Sequence, residues 1–355
     1  MPARPSYIVA VSDGDIYMGY DPVQLTLAEN GANALEDTPD MGMQDGPGSP
    51  NDAGDTAIHR HMYFCDGTNY KRLDAHTGEV SNWEAFNGTD AVTGDEIAGE
   101  LPKDADDNVA TIMALYRGRI VLSGVLNDPH NWFMSAVEDP RNWDYSPPTI
   151  TETMAVAGNA SPIGRVADAV TALAPFSDDL LIIGGDKSIW LMRGDPAAGG
   201  TIDNISQKIG IVGKDAWAFD PSNNFYFFGN DGLYRAAPTG EGMERVSAGK
   251  LDRTFAEVDR REHRVLLEWD RERKGLYIFI TGDDPEAEHA LSYWYDQRTD
   301  AFWPIRLPHS NGPTSVMTWD SDLANDRAVL LGGRDGFIRG FRNFRPNDND
   351  GVDDE

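Results

Sequence analysis

The stretch FYFFGNDGLYRAA, residues 225–237, decides the fold. Two apolar runs flank Asn-Asp-Gly, a turn chemistry that reverses the chain within a few residues. The first run is apolar at every position, which suits a strand buried on both faces. The pattern returns as IVAVSDGDIYMGY at 8–20, MYFCDGTNYKRLD at 62–74, LLIIGGDKSIWLMRG at 180–194 and AVLLGGRDGFIRGF at 328–341. Two copies carry longer turns, RIVLSGVLNDPHNWFMSAV at 119–137 and GLYIFITGDDPEAEHALSYWYD at 275–296.

Further apolar runs lie outside these hairpins. TIMALY (111–116), VTALAPF (170–176), AWAFD (216–220), VLLEWD (265–270) and SVMTWD (315–320) precede them. VSNWEAF (80–86), RNWDYS (141–146), MERVS (243–247) and AFWPIRL (301–307) follow them. Four meandering strands in units of roughly 35–55 residues predict an all-β chain folded as a β-propeller. Seven hairpins predict seven blades, a count open between six and eight. The competing architecture is a pair of β-sandwiches, which would have to repeat one hairpin type seven times.

The first unit lacks a leading strand and the last lacks a final one. The N-terminal segment is therefore expected to complete the C-terminal blade, giving one domain over 1–343 with no exposed edge. Three polar stretches read as loop insertions: 31–56, 87–107 and 148–168, the last nearly uncharged in its middle. GKLDRTFAEVDRRE, 249–262, reads as a single amphipathic helix with Leu251, Phe255 and Val258 on one face. The acidic end, 344–355, reads as a disordered tail.

Composition narrows the function. The 355 residues include 59 acidic and 30 basic ones, a net charge of −29. Such a surface repels nucleic-acid phosphate and anionic lipid. One cysteine, Cys65, excludes a disulfide framework and reads as a small buried hydrophobe. No apolar run reaches the roughly 18 residues that span a bilayer. The opening MPARPSYIVAV lacks the features of a signal peptide, so neither a leader nor a membrane anchor is expected.

Catalytic chemistry is sparse. His59 and His61 share a strand face without a third ligand, and solvent-facing histidines are expected there. The tail NDNDG would place Pro346 where a calcium loop needs a carboxylate. Asp178/Asp179 and Asp283/Asp284 fall in hairpin turns. No cofactor, no metal and no enzymatic activity are expected. The candidate interaction residues are of two kinds. Asp128, Trp132, Asp139 and Trp143 belong to the paired phrases DPHNW and DPRNW, in which Asp-Pro opens a turn and Trp anchors the returning strand. Arg193, Arg235 and Arg339 recur in the second hairpin strand of three units, as part of a ring or as partners of nearby carboxylates.

These phrases carry a resemblance. RIVLSGVLNDPHNWFMSAVEDPRNWDYSP, then DAVTALAPFSDDLLIIGGDKSIWLMRGDP, then GIVGKDAWAFDPSNNFYFFGNDGLYRA at 210–236, resemble the β-propeller virion proteins of tailed bacteriophages. SYIVAVSDGDIYMG and HMYFCDGTNYKRLDAHTGEVSNW are similar to that family's opening. The resemblance implies a structural tail hub, nozzle or stabilisation protein, or head–tail connector. Such a protein is made in the host cytoplasm and built into the virion as a homo-oligomeric ring at the tail or portal vertex. Other tail and portal proteins would be its partners, and DNA would pass transiently through or be retained behind it. A lumen lined with negative charge is expected to let DNA slide. The family brings no catalytic residues. The competing function is a glycan-binding or glycan-hydrolysing propeller directed at a host surface, with Trp190, Trp294 and Trp303 as stacking platforms.

Overall fold

The computed structural model describes residues 7–20, 24–38, 40–52, 60–161, 163–259, 262–282, 291–307, 312–320 and 327–341. The fold is an all-β, seven-bladed propeller: seven separate antiparallel meanders, not the two faces of a sandwich. The contacts divide the chain into two compact units.

One unit comprises Tyr7–Gly19 and Gln24–Gly210. Its first blade is β1 (Ile8–Ser12), β2 (Asp15–Gly19) and β3 (Thr26–Leu27). The second is β4 (Gly42–Gly46), β5 (His61–Cys65), β6 (Tyr70–Asp74) and β7 (Val80–Asn82). A small hairpin, β8 (Gly88–Thr89) with β9 (Glu96–Ile97), fills the insertion expected as loop. The third blade is β10 (Ile112–Tyr116), β11 (Arg119–Ser123), β12 (Trp132–Met134) and β13 (Val156–Ala157). The fourth is β14 (Val170–Ser177), β15 (Leu180–Gly185), β16 (Ile189–Arg193) and β17 (Thr201–Ser206).

The other unit holds the chain from Ile211 onward. Its blades are β18 (Trp217–Phe219), β19 (Phe225–Gly229), β20 (Gly232–Ala236) and β21 (Glu244–Arg245); then β22 (His263–Asp270), β23 (Gly275–Gly282), β24 (Leu291–Asp296) and β25 (Ala301–Ile305); then β26 (Pro313–Trp319), β27 (Ala328–Gly333) and β28 (Ile338–Phe341). The first and last blades thus show three strands among the described residues. The segments assigned to closure, and the tail from 344, lie outside those residues.

The apolar runs are buried as their composition requires: every residue of β19 is buried, and so are Ile120, Val121 and Leu122 of β11. The core sits between consecutive blades. Tyr63 and Cys65 of β5 pack with Ile120 and Leu122 of β11, and Tyr116 and Val121 with Leu181 and Ile183 of β15. In the other unit, Leu266 and Phe279 pack with Val329 and Leu331. Each such side chain contributes about 1.5–3 kcal/mol on leaving water.

Turn chemistry varies more than the sequence pattern. Asp13–Gly14 and Arg117–Gly118 have both central residues at positive φ, the two-residue turn that matches strand twist. Asp66 closes its four-residue turn differently, accepting from the amides of Thr68 (2.8 Å) and Asn69 (2.5 Å).

Three expectations are corrected. The 31–56 insertion contains β4, the leading strand of the second blade. Its sequence, GMQDG, has no apolar signature because the backbone approaches its neighbours closely. A Cβ on Gly42 would lie 2.6 Å from Cys65 Sγ, and one on Gly46 3.0 Å from the Ile120 side chain. The fourth strand of the third blade is β13, inside the 148–168 insertion, and not RNWDYS. That phrase is a compact turn in which the Trp143 indole donates to Pro140 O at 2.8 Å. The helix α1 (Asp252–Ala256) covers only five residues of the expected span. Leu251 provides no side-chain cap, and Val258 lies beyond its end. Its one buried side chain, Phe255, makes edge contacts to Phe228, Tyr293 and Phe302 at 5.0–5.9 Å.

Candidate functional site

The DPHNW and DPRNW phrases lie before and after β12, and their tryptophans are buried. Asp128 accepts from Asn131 Nδ2 (2.8 Å) and pairs with Arg165 (3.0 Å). Trp132 opens β12 and donates its indole N–H to Gly164 O at 3.2 Å. Trp143 meets Trp83 edge-on at 5.9 Å, and both indoles donate to the one carbonyl of Pro140 at 2.8 Å. Tyr63 and Tyr70 complete this aromatic cluster against Trp83, at 4.7 and 5.3 Å. The phrases are joints inside the fold.

Asp139 reaches further. Its buried carboxylate accepts from Ser49 Oγ (2.5 Å), Asn51 Nδ2 (2.9 Å) and the Arg141 amide (3.1 Å). Asn51 also donates to Asp90 at 3.0 Å. The neighbouring Asp52 pairs with both Arg72 and Arg141. Residues 49–52, which follow β4, are thereby fastened to β6, to the turn after β8 and to the DPRNW turn. Burial pushes the Asp139 carboxyl above its ordinary range, because its donors do not outweigh lost hydration. Burial opposes charge on Asp52 as well, but Arg72 and Arg141 hold it below the usual range. Ser49 has a carboxylate partner yet no exposed surface, so no substrate reaches its hydroxyl.

His61 is corrected from solvent-facing to buried: it lies in β5 with its ring 5.8 Å from Tyr63. Burial, reinforced by Arg72 and Arg60 and opposed by Asp74 and Asp52, lowers its pKa to about 4. His59, Asp283/Asp284 and NDNDG lie outside the described residues. Among the described residues no three His, Cys, Asp or Glu are grouped to hold a metal. Cys65 is buried in β5, as expected.

The three arginines stand at different positions along their strands. Arg193 is the last residue of β16, Arg235 the fourth of five in β20 and Arg339 the second of four in β28. Each pairs within its own blade: Arg193 with Asp203 (3.7 Å), Arg235 with Glu244, Arg339 with Asp335 (2.6 Å). Of the two readings, these contacts carry the pairing with nearby carboxylates. Trp190 and Trp294 lie on the third strands of their blades and Trp303 on a fourth strand. Trp303 is 58 % exposed beside its cross-strand partner Trp294.

Among the described residues, the first strands β1, β10, β14, β18 and β26 carry no charged residue. Charge appears only on β4 (Asp45) and β22 (Arg264, Glu268, Asp270). Glu268 is withdrawn, bonded to Thr318, and burial raises its pKa.

Sequence reasoning missed Arg119. Its side chain has no exposed surface. It donates to both Asp195 oxygens (3.1 and 3.2 Å) and to the carbonyls of Ser135 (2.8 Å), Glu152 (2.9 Å) and Met154 (2.6 Å). Asp195 also caps the 3₁₀ turn Pro196–Ala198. Tyr116 OH donates to Gly194 O at 2.8 Å, so RGRIVLS and MRGDP form one joint between blades. The available signal was an arginine opening an otherwise apolar strand.

No family model and no curated protein matches the chain. Among solved structures it is similar to PorZ, a bacterial surface component of the type-IX secretion system of Porphyromonas gingivalis, at 16 % identity over 98 % of this chain and 38 % of that one, with a TM-score of 0.45. It is also similar to the extracellular domain of the one-component system BT4673 from B. thetaiotaomicron, at 11 % identity over 94 % of this chain and 36 % of that one, with a TM-score of 0.53. The chain therefore spans little more than a third of either protein, and the likeness to BT4673 is one of fold alone.

Proposed function

We propose that the chain is a structural virion protein of a tailed phage, assembled as a ring of copies at the tail or portal vertex. It would act as hub, nozzle or connector and form part of the DNA conduit or its closure. The observation that carries this reading is the run of family phrases across 119–236. Among their aspartates and tryptophans, Asp139 and Trp143 join the third blade to segments of the second, which is what a scaffold requires of them. Largely uncharged innermost strands give phosphate few cations to bind, so passing DNA would not be held. The test is composition: the chain should be recovered in purified particles at a fixed copy number, and particles lacking it should show missing density at the tail vertex. A stable monomer found free of particles in infected cells would sink the reading.

A second reading, a glycan-binding propeller, is favoured by Trp303. An exposed indole beside Trp294 offers an apolar platform to a sugar ring. Loss of glycan-array binding in Trp303→Ala, with the fold intact, would support it.

A further inference from the structure

The fourth strand of a blade is an edge, whose outer N–H and C=O groups are open to another chain, and propellers keep such edges short or protected. Most of those here obey. β13 and β21 have two residues each, and β25 carries Pro304, which has no N–H to offer. β7 is covered: Glu29 N donates to Gly78 O at 3.0 Å, and Val80 N to Glu29 O at 2.8 Å. β17 has none of these devices. It is six residues long, TIDNIS, without proline or lysine, and among the described residues it pairs only with β16. Its outward groups follow from the register. Gly185 N donates to Ser188 O at 2.8 Å, closing the turn between β15 and β16. Bonding groups alternate sides along an antiparallel strand, so Trp190 and Met192 address β15 while Leu191 and Arg193 address β17. Their partners Asp203 and Thr201 bond inward, and the backbone groups of Ile202 and Asn204 point outward. Neither has an outward backbone bond among the described residues.

The side chains select the occupant. Asp203 is 60 % exposed and is met by Arg193 only at 3.7 Å. It shares a face with Thr201, while Ile202 and Asn204 occupy the other. A residue added opposite Asp203 would stand at a non-hydrogen-bonded position, where side chains lie close, and opposite charge is favoured there. Its neighbours along the added strand would lie beside Ile202, where an apolar side chain is favoured. The net charge of −29 draws a basic segment and repels an acidic one. We infer that β17 is a docking edge, which takes up an extended, alternately basic and apolar segment of a different protein as a fifth strand of the fourth blade. The inference needs neither the ring nor the glycan reading above.

The test titrates the full chain with a synthetic peptide of alternating valine and lysine, and with one of the same composition in two blocks. Both carry the same charge, but only the first puts its lysines on one face of a strand. At fixed salt the alternating peptide should bind at least about tenfold more tightly. Its binding should slow hydrogen exchange at the Ile202 and Asn204 amides, while those of Thr201 and Asp203, already bonded to β16, change little. Asn204→Pro removes an outward N–H and no bond to β16, and should weaken binding at least about tenfold. Asn204→Thr keeps the N–H and should bind as wild type does. Asn204 Nδ2 has no partner, so neither substitution costs a bond at that atom. Equal binding of the two peptides, no binding of either, or full binding by Asn204→Pro overturns the inference. If Asn204→Pro does not fold, exchange in the wild type decides: unslowed Ile202 and Asn204 amides overturn it.

Discussion

Arg119 shows how one residue can hold two blades. A guanidinium without exposed surface is tolerated because both Asp195 oxygens and four carbonyls take its protons. Burial lowers its pKa while Asp195 opposes that shift. Removing one partner strands the other, so Asp195→Ala should cost about 3–5 kcal/mol in denaturant unfolding. Replacing the pair by apolar residues of similar volume should cost much less. His61 supplies a pH test. Its folded pKa of about 4 lies below its unfolded value of about 6.5, so the unfolded chain binds the proton more readily. Its contribution is therefore present above pH ~6.5 and lost as pH falls toward 4, by at most about 3 kcal/mol. Asp52, held low by its arginines, adds a loss further into acid, whereas Asp139, raised by burial, favours the folded state on protonation. Unfolding followed across pH should show a shallower slope between 6.5 and 4 in His61→Gln; an unchanged slope would refute the assignment.

At the scale of elements, turns and close approaches carry most of the specificity. Gly14 sits at φ +75 with a Cβ position 2.4 Å from Leu35 O, so Gly14→Ala should destabilise by more than the roughly 1 kcal/mol typical of a glycine position. Trp143→Ala should cost about 3–5 kcal/mol, since it empties the Trp83–Trp143 joint and removes a donor from Pro140 O. Both are measurable by thermal melting. These examples also mark how much was legible. Asp13–Gly14 and the runs of β11 and β19 announce themselves because turn chemistry and apolar continuity are properties of consecutive residues. β4 did not, since glycines chosen for closeness to Cys65 and Ile120 leave no apolar pattern. The helix was overread because three residues at helical spacing say nothing about where packing stops.

For the molecule as a whole, charge resides mostly in turns, edge strands and insertions, and among the first strands of the blades only β4 and β22 carry any. The net −29 stresses the compact state through self-repulsion. The melting temperature should therefore rise by a few degrees as salt increases from low values to about 0.15 M, where screening acts over about 8 Å. A flat or falling response would place the repulsion elsewhere. The sequence by itself determined the class of fold, the number of hairpins and the buried character of their strands, because all are written in short-range pattern. Tertiary structure alone decided which arginine is buried, which aspartate is forced toward protonation and which polar stretch hides a strand. Those outcomes depend on partners far apart in the chain, 76 residues for Arg119 and Asp195 and 90 for Ser49 and Asp139, and desolvation exists only once such partners have met.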